Sequence, residues 1–572
     1  GSSNTAVGRM SLYTNSTGDN NTAVGLNALF ANTTGASNTA VGANALDANT
    51  TSSYNSAFGR NALGANTTGD QNTAVGAGAL AANTTADYNS AIGYNALTSN
   101  TTGANNTALG YKALEANTTQ SNNTAIGYQA AASATNANMN TVVGRNAMFT
   151  NVNGDRNVAI GDYALYTMNP ASDADTANVA IGKNAMYATT TGVNNTAVGY
   201  NVMEANTTGN SNVAVGYAAL DANTTGGSNI AIGNNALGAN TTASSNVAIG
   251  LESLKANTTG TENVAVGHEA LESNTTGSQN TAVGYEALDA ATTADQNSAF
   301  GAYALSANTT GTENVAIGHQ AMLYNTTGDY NTAVGRAALN DNTTGSDNTA
   351  MGQQALANNT TASDNTAIGY QALLTNTTGA NMTAVGHQAL YANTTGSSNV
   401  AVGKGAMDAN TTGNWNVGLG RNALGGNTTA DANVAVGHDC MITNTTGHSN
   451  AAVGYAALHD NTTGVNNVAV GFEALNANTT ASENTAVGTK ALYSEASGGA
   501  NTALGYRALE SSNGGNYNTA VGSRCLEDTT TGDENVAVGY NCLHENTTGY
   551  ENVAVGHKAL DSNTTGYQNV CV

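Results

Sequence analysis

Histidine is the residue of this chain best suited to acid–base chemistry or metal binding, and the chain has eight of them. Five take the same place in a repeated 17-residue segment, where other copies carry tyrosine, lysine or arginine. These five are His268, His319, His387, His438 and His557. A place that accepts such different side chains is typical of a solvent-exposed surface. Neither an H-E-x-x-H motif nor a cluster of Cys and His is present, so the sequence predicts no catalytic, cofactor-binding or metal site and no enzyme.

The acidic residues are scattered over the variable places of the repeat in the same way. Examples are Glu262, Asp329, Asp347 and Glu534. The simplest interpretation is a solvated face, and the alternative is weak cation binding between stacked carboxylates. The pattern of an EF-hand calcium loop is absent.

The cysteines fall at places where other copies have alanine, which predicts small buried slots. They are Cys440, Cys525, Cys542 and Cys571. Cys525 and Cys542 occupy the same place in consecutive copies. Stacked Cα atoms about 4.8 Å apart lie within disulfide range, whereas parallel side chains disfavour the bond. Both outcomes stay open from the sequence.

These residues all belong to one repeat, N-[TV]-A-[VI]-G-x-x-A-[LM]-x-A-N-T-T-G-x-x, whose positions are numbered 1 to 17 from the first Asn. It begins at Asn4 and recurs 33 times, with glycine at position 5 in every copy. The sequence predicts a single continuous repeat array over 1–572. Four extra residues fall near 168–177, between Asn157 and Asn178. We expect them to extend a turn and to leave the register intact.

Asparagine at position 12 begins an Asn-x-Thr sequon in many copies. Examples are Asn32, Asn66, Asn223 and Asn410. Glycans on every copy would not fit a coil spacing of about 4.8 Å. Stacked asparagines that cap a turn are therefore the favoured interpretation over glycosylation.

Composition excludes several classes of protein. Only 9% of the residues are charged and the net charge is −24, which disfavours nucleic acid and anionic membrane surfaces as partners. The hydrophobic share of 40% is mostly Ala and Val, which fill narrow spaces rather than a large globular core. No apolar run is long enough to insert into a membrane.

Seventeen residues are too few for a helical hairpin but suit one coil of a β-solenoid. We expect an all-β fold, a parallel β-solenoid or β-roll of about 33 coils that is oligomeric and forms a rod roughly 160 Å long. Positions 1 to 4 predict one strand, which the glycine at position 5 ends. Positions 8 to 11 predict a second strand, with a short helical turn as the weaker alternative.

Positions 2 and 4 share one face of the first strand, and positions 3 and 5 share the other. We favour an outward apolar stripe at positions 2 and 4, which another chain must then cover. In the alternative, position 4 points inward and meets the leucine of position 9. In either case Val266→Asp is expected to destabilise the protein far more than Glu269→Lys.

The N-[TV]-A-[VI]-G core resembles the head repeats of YadA-like trimeric autotransporter adhesins, which read approximately N-S-V-A-I-G. The nearest copies are residues 466–471, N-N-V-A-V-G, and 177–182, A-N-V-A-I-G. The longer form with A-L-x-A-N-T-T-G is similar to repeats of bacterial and phage tail-fibre-like proteins. This resemblance covers essentially the whole chain and implies a β-roll with three chains around one axis.

We therefore expect a non-enzymatic structural fibre or filament subunit that is extracellular, at a cell surface or on a virion. Its partner is the chain itself, as a homotrimer or an end-to-end filament, because residues 1–3 read as the close of a repeat and Asn569–Val572 as the opening of one. One alternative is an adhesin that binds a receptor or a cell-surface glycan through positions 6 and 7. The other is an ice-binding solenoid, suggested by the threonines at positions 13 and 14.

Overall fold

The computed structural model describes residues 1–572 and shows an all-β protein without a helix. The chain divides into two compact units, Gly1–Glu286 and Ala287–Val572. Both are parallel β-solenoids in which each 17-residue repeat forms one coil, with a three-residue strand at positions 2 to 4. The predicted parallel β-solenoid of about 33 coils is confirmed.

The strands of the first unit are β1 (Thr5–Val7), β2 (Thr22–Val24), β3 (Thr39–Val41), β4 (Ser56–Phe58), β5 (Thr73–Val75), β6 (Ser90–Ile92), β7 (Thr107–Leu109), β8 (Thr124–Ile126), β9 (Thr141–Val143), β10 (Gly154–Asp155), β11 (Val158–Ile160), β12 (Ala174–Asp175), β13 (Val179–Ile181), β14 (Thr196–Val198), β15 (Val213–Val215), β16 (Ile230–Ile232), β17 (Val247–Ile249), β18 (Val264–Val266) and β19 (Thr281–Val283). Those of the second unit are β20 (Ser298–Phe300), β21 (Val315–Ile317), β22 (Thr332–Val334), β23 (Thr349–Met351), β24 (Thr366–Ile368), β25 (Thr383–Val385), β26 (Val400–Val402), β27 (Val417–Leu419), β28 (Val434–Val436), β29 (Ala451–Val453), β30 (Val468–Val470), β31 (Thr485–Val487), β32 (Thr502–Leu504), β33 (Thr519–Val521), β34 (Val536–Val538), β35 (Val553–Val555) and β36 (Val570–Cys571).

Consecutive strands pair in parallel with equal positions opposite one another. In β16 and β17, for example, Ile232 lies opposite Ile249. Each position of the repeat therefore forms a column along its unit. The glycine at position 5 ends the strand for a steric reason. Gly335 has a φ of 136°, and a Cβ on it would lie 2.6 Å from the carbonyl oxygen of Gly352 in the next coil.

The four extra residues leave this register unchanged, as predicted. Val158 of β11 lies opposite Thr141 on one side and Val179 on the other. The short strands β10 and β12 pair at the base of the extended turn. Residues 171–173 are exposed beyond it, so the insertion points away from the coil.

The faces of the strand follow the favoured prediction. In β17, the alanine at position 3 is fully buried, Val247 at position 2 is partly covered, and Ile249 at position 4 is 37% exposed. The alternative, in which position 4 points inward to meet the leucine of position 9, is wrong. The alanine at position 3 points inward instead, and its small side chain leaves room inside the coil for that leucine. Val266 is likewise only partly covered within one chain, so an aspartate there is buried only if a second chain covers it.

Positions 8 to 11 form neither the predicted second strand nor the alternative helical turn, and both expectations are wrong. This part of each coil is a series of turns, with left-handed residues at positions 7 and 9, such as Gln354 (φ 56°) and Leu356 (φ 52°). A strand or an α-helix needs consecutive residues in one backbone region, and this alternation prevents it. A left-handed leucine costs about 1–2 kcal/mol. Burial of Leu356 and its 2.9 Å N–H bond to the carbonyl of Ala372 offset that cost.

Two columns of asparagine complete the interior beside the alanines of positions 3 and 8 and the leucine. At position 1, the backbone N–H of Asn348 donates to Oδ1 of Asn331 at 3.0 Å. At position 12, Nδ2 of Asn359 donates to Oδ1 of Asn342 at 2.9 Å. Nδ2 of both Asn348 and Asn359 also donates to the carbonyl of Ala362, each at 2.9 Å. The interior therefore combines apolar packing at positions 3, 8 and 9 with a hydrogen-bonded network of side-chain amides at positions 1 and 12. This network links each coil to the next.

Candidate functional surfaces

The outward side of the sheet, formed by positions 2 and 4, is called the outer stripe below. Position 4 carries Val, Ile, Leu, Phe or Met in every copy, and each of these side chains is at least partly exposed; the more open ones include Ile232 (39%), Phe300 (41%) and Leu504 (47%). None of the chain's Asp, Glu, Lys or Arg residues lies at position 2 or 4. The outer stripe is thus an uncharged, largely apolar face on a strongly acidic chain.

The histidines of position 6 lie in a surface column with tyrosine and phenylalanine. His438 stacks on Tyr455 at 5.6 Å between ring centroids, and Tyr455 stacks on Phe472 at 5.3 Å. His268 stacks on Tyr285 in the same way, at 5.3 Å. His319, His387 and His557 also adjoin tyrosines of the neighbouring coil. Each of the five therefore contacts an aromatic ring of a neighbouring coil, stacked in three cases, tilted at His387 and edge-on at His319, rather than a compact group of catalytic side chains.

The acidic residues singled out from the sequence lie on four different coils, and of these Asp329 and Asp347 are neighbours, joined by a backbone hydrogen bond of 3.1 Å. Oδ1 of Asp329 accepts the backbone N–H of Thr312 at 2.7 Å, which caps the neighbouring coil. Oε2 of Glu262 accepts from Nε2 of Gln279 at 3.0 Å. Asp347 and Glu534 are exposed at position 17. These contacts favour a solvated, partly capping role for the acids.

The only three-carboxylate group with metal-like spacing joins Glu252, Glu269 and Glu272, whose oxygens lie within 4.8 Å of one another. Lys255 already occupies it, with Nζ 3.0 Å from Glu252 and 3.1 Å from Glu272. The hydrogen bond to Glu252 raises the pKa of Lys255, and the same bond lowers the pKa of Glu252. An ammonium group therefore offsets one of the three negative charges and already holds two of the three carboxylates.

All four cysteines are free thiols, so Cys525 and Cys542 are not bonded to each other in this structure. Their side chains bond to separate carbonyls instead. Sγ of Cys525 donates to Gly539 at 2.7 Å, and Sγ of Cys542 donates to Ala554 at 3.0 Å. Burial raises the pKa of the Cys542 thiol to about 11 and that of Cys440 to about 12, which makes both poor nucleophiles.

The Asn-x-Thr sequons serve the interior. The four asparagines named from the sequence, Asn32, Asn66, Asn223 and Asn410, are fully buried. Nδ2 of Asn223 donates to Oδ1 of Asn206 at 2.8 Å and to the carbonyl of Gly226 at 3.0 Å. A glycan cannot be attached to an amide in this place, so the ladder interpretation is confirmed.

The threonines of positions 13 and 14 point in different directions, as expected for adjacent residues. The hydroxyl of Thr343 at position 13 donates to the carbonyl of Thr360 at 2.8 Å, while Thr344 at position 14 is exposed. The two positions thus present one exposed rank of hydroxyl groups rather than two.

Sequence reasoning missed Glu495, which takes the place of asparagine at position 12 and is fully buried. Its carboxylate accepts from the Ser512 hydroxyl at 2.6 Å and from the N–H of Gly514 at 2.9 Å, and also from the N–H of Gly498. A carboxylate cannot donate to the preceding coil, and Oδ1 of Asn478 is left without a partner. The sequence signal that could have revealed Glu495 is an acidic residue at a position where most other copies carry asparagine.

Comparison with known proteins gives no family for this chain. No family model matches it, and no curated protein is significantly similar to it. The chain also forms no helix long and apolar enough to cross a bilayer. Its function must therefore be inferred from the coil and its surfaces.

Proposed function

We propose that this protein is a non-enzymatic structural subunit of an extracellular, cell-surface or virion fibre, and that copies of the chain associate through their outer stripes. The observation that carries this proposal is the outer stripe itself, which is uncharged in every coil and carries an apolar side chain at position 4 of each. The resemblance of the repeat to YadA-like adhesin heads supports both the location and an assembly of three chains.

A repeated coil suits a structural role because each added coil lengthens the protein and adds about the same stabilising free energy. Every strand pairs with its neighbours in register, and the asparagine columns continue the bonding between the strands and the turns. In such a solenoid, stability grows as a sum of neighbour contacts. The fold therefore provides stiffness along its length without a unique centre.

The area of the outer stripe argues for a covering partner. If each coil exposes on the order of 50 Å² of apolar surface at position 4, about twelve coils reach the upper end of the range for the largest patch of a typical monomer, about 300–600 Å². About sixteen coils reach the 800 Å² per partner of a standard interface. Like surfaces meet without charge repulsion, since the net charge of −24 lies entirely on other positions.

The test is to place charge on three neighbouring rungs of the outer stripe. Met351, Ile368 and Val385 lie opposite one another in β23, β24 and β25. We expect the triple variant M351K/I368K/V385K to dissociate to single chains in sedimentation, because lysines cannot be buried unpaired in an apolar interface. Its circular dichroism spectrum is expected to remain that of the parent.

The matched control carries the same charges on the same three coils at position 7. The variant Q354K/Q371K/Q388K changes side chains that lie on a turn, away from the sheet face. It is expected to keep the mass of the parent. Equal masses for the two triple variants would refute association through the outer stripe.

A further inference from the structure

A notch of about 300 Å³ opens on the surface between positions 14 and 17 of two consecutive coils of the second unit. It is lined by Thr429, Ala430, Asp431, Ala432, Thr446, His448 and Ser449. This surface differs from the outer stripe and from the ring columns of position 6. Its volume is at the lower end of the range for small-molecule sites, about 300–1,000 Å³.

Trp415, the only tryptophan of the chain, is 65% exposed and lies at position 17 of the coil that precedes this notch. Trp415, Ala432 and Ser449 all occupy position 17 and have nearly equal φ angles of 56°, 57° and 58°. They are therefore successive members of one column, about 4.8 Å apart. The column residues before and after Trp415 are Ser398 and Ala432, which are small.

Small column neighbours leave the indole faces open, and this separates Trp415 from the stacked rings of position 6. The rings of Tyr94, Tyr111 and Tyr128 stack on one another at 5.6 and 5.1 Å, which covers their faces. An open aromatic face of this size binds flat apolar surfaces, including the C–H face of a sugar ring. Such a face beside a polar notch is suited to a ligand with one apolar and one hydroxylated side.

The polar groups of the notch suit hydroxyl groups. Oδ1 of Asp431 accepts from the backbone N–H of Asn414 at 2.7 Å, which fixes the carboxylate and directs its second oxygen as an acceptor. His448 contacts Ser449 through Nδ1 at 3.2 Å and offers Nε2. The hydroxyls of Thr429 and Thr446 both donate and accept.

We propose that Trp415 and this notch form a binding site for a neutral pyranose unit of a glycan. The sugar ring stacks on the indole above Ala432, and its hydroxyls bond to Asp431, His448 and the two threonines. An anionic sugar is disfavoured by Asp431 and by the net charge of −24. This site goes beyond the structural role, which stands or falls separately on the outer stripe.

Because Trp415 is the only tryptophan, the intrinsic fluorescence of the protein reports directly on this site. The full-length protein is titrated with D-galactose, D-glucose and N-acetylglucosamine, and with N-acetylneuraminic acid as the anionic contrast, while tryptophan emission is recorded. We expect a saturable change with at least one neutral sugar and a much weaker response to the anionic one. No saturable change with any neutral sugar overturns the proposal, and equal binding of the anionic sugar overturns its neutral specificity.

Two variants keep Trp415 as the fluorescent reporter and change residues of the notch that are proposed to contact the sugar. Asp431→Ala follows other copies that carry alanine at position 16, such as Ala380. Ala432→Glu places a long side chain in the notch, and glutamate is accepted at this position, since Glu534 follows Tyr517 in the same column. Each is expected to weaken binding at least about tenfold, through a lost charged acceptor or a blocked notch. Tyr517→Ala, at another exposed aromatic of position 17, is expected to leave the titration unchanged. Unaltered binding in both site variants would contradict the assignment.

Discussion

The asparagine column of position 12 makes the sharpest energetic prediction, because adjacent residues offer a matched pair of substitutions. Asn359 is fully buried in this column, whereas Asn358 is exposed. Both become alanine, so the change in side-chain chemistry is identical. Only the place in the coil differs.

Asn359→Ala removes three hydrogen bonds. Nδ2 donates to Oδ1 of Asn342 and to the carbonyl of Ala362, each at 2.9 Å, and Oδ1 accepts from Nδ2 of Asn376 at 3.0 Å. Ala362 and Asn376 keep another partner each, but Oδ1 of Asn342 is left buried and unpaired. The orphaned acceptor costs about 1–3 kcal/mol and the two other lost bonds about 1 kcal/mol each, which predicts a loss of at least about 3 kcal/mol.

Native-state hydrogen exchange of peptides that cover residues 342–379 measures this loss locally, because a long solenoid does not unfold as one two-state unit. We expect amide protection there to fall about 100-fold in Asn359→Ala, as about 3 kcal/mol requires. For Asn358→Ala we expect a change within about twofold. Equal losses in the two variants would refute the role given to the buried column.

Three further changes test other parts of the coil. Ala134→Asn fills a gap in the column beside the unpaired Oδ1 of Asn117 and is expected to add about 1 kcal/mol to local stability, seen as slower hydrogen exchange; faster exchange would argue against it. Gly335→Ala is expected to speed hydrogen exchange in its coil, since its Cβ would lie 2.6 Å from a carbonyl oxygen of the next coil. At Gly64 the atom nearest to an added Cβ is 3.4 Å away, so Gly64→Ala is expected to be tolerated. Similar effects at both glycines would contradict the steric account. Burial raises the pKa of the Cys440 thiol to about 12, so its alkylation is expected to stay slow from about pH 7 to 9 in the folded protein and to become fast in denaturant, and fast alkylation of the folded protein would count against burial.

The sequence was sufficient for the coil length and the register, and it favoured the observed direction of the strand faces without excluding the opposite one. The period of 17 set the first two, and the small alanine at position 3, as at Ala248, indicated which face points inward. The buried role of the sequons was predictable too, because coils about 4.8 Å apart leave no room for glycans.

The sequence was not sufficient for the turns at positions 6 to 11. Alanine and leucine favour helix and accept strand, so their types gave no sign that Leu356 is left-handed. That conformation is selected by bonds to the next coil, which a single repeat does not contain. The notch beside Trp415 was hidden for a related reason. The indole of Trp415 has an open face because its column neighbour Ala432 is small. Ala432 lies seventeen residues further along the chain, and only the register brings these two residues together.

The central claim is that the outer stripe is covered by further copies of this chain. The native mass of the purified 572-residue chain, measured by light scattering behind size-exclusion chromatography, tests it most directly. We predict a particle of several chains, with three times 57.0 kDa as the expected mass, that persists on dilution to the nanomolar range. A single species of 57.0 kDa that remains soluble at high protein concentration would contradict the claim.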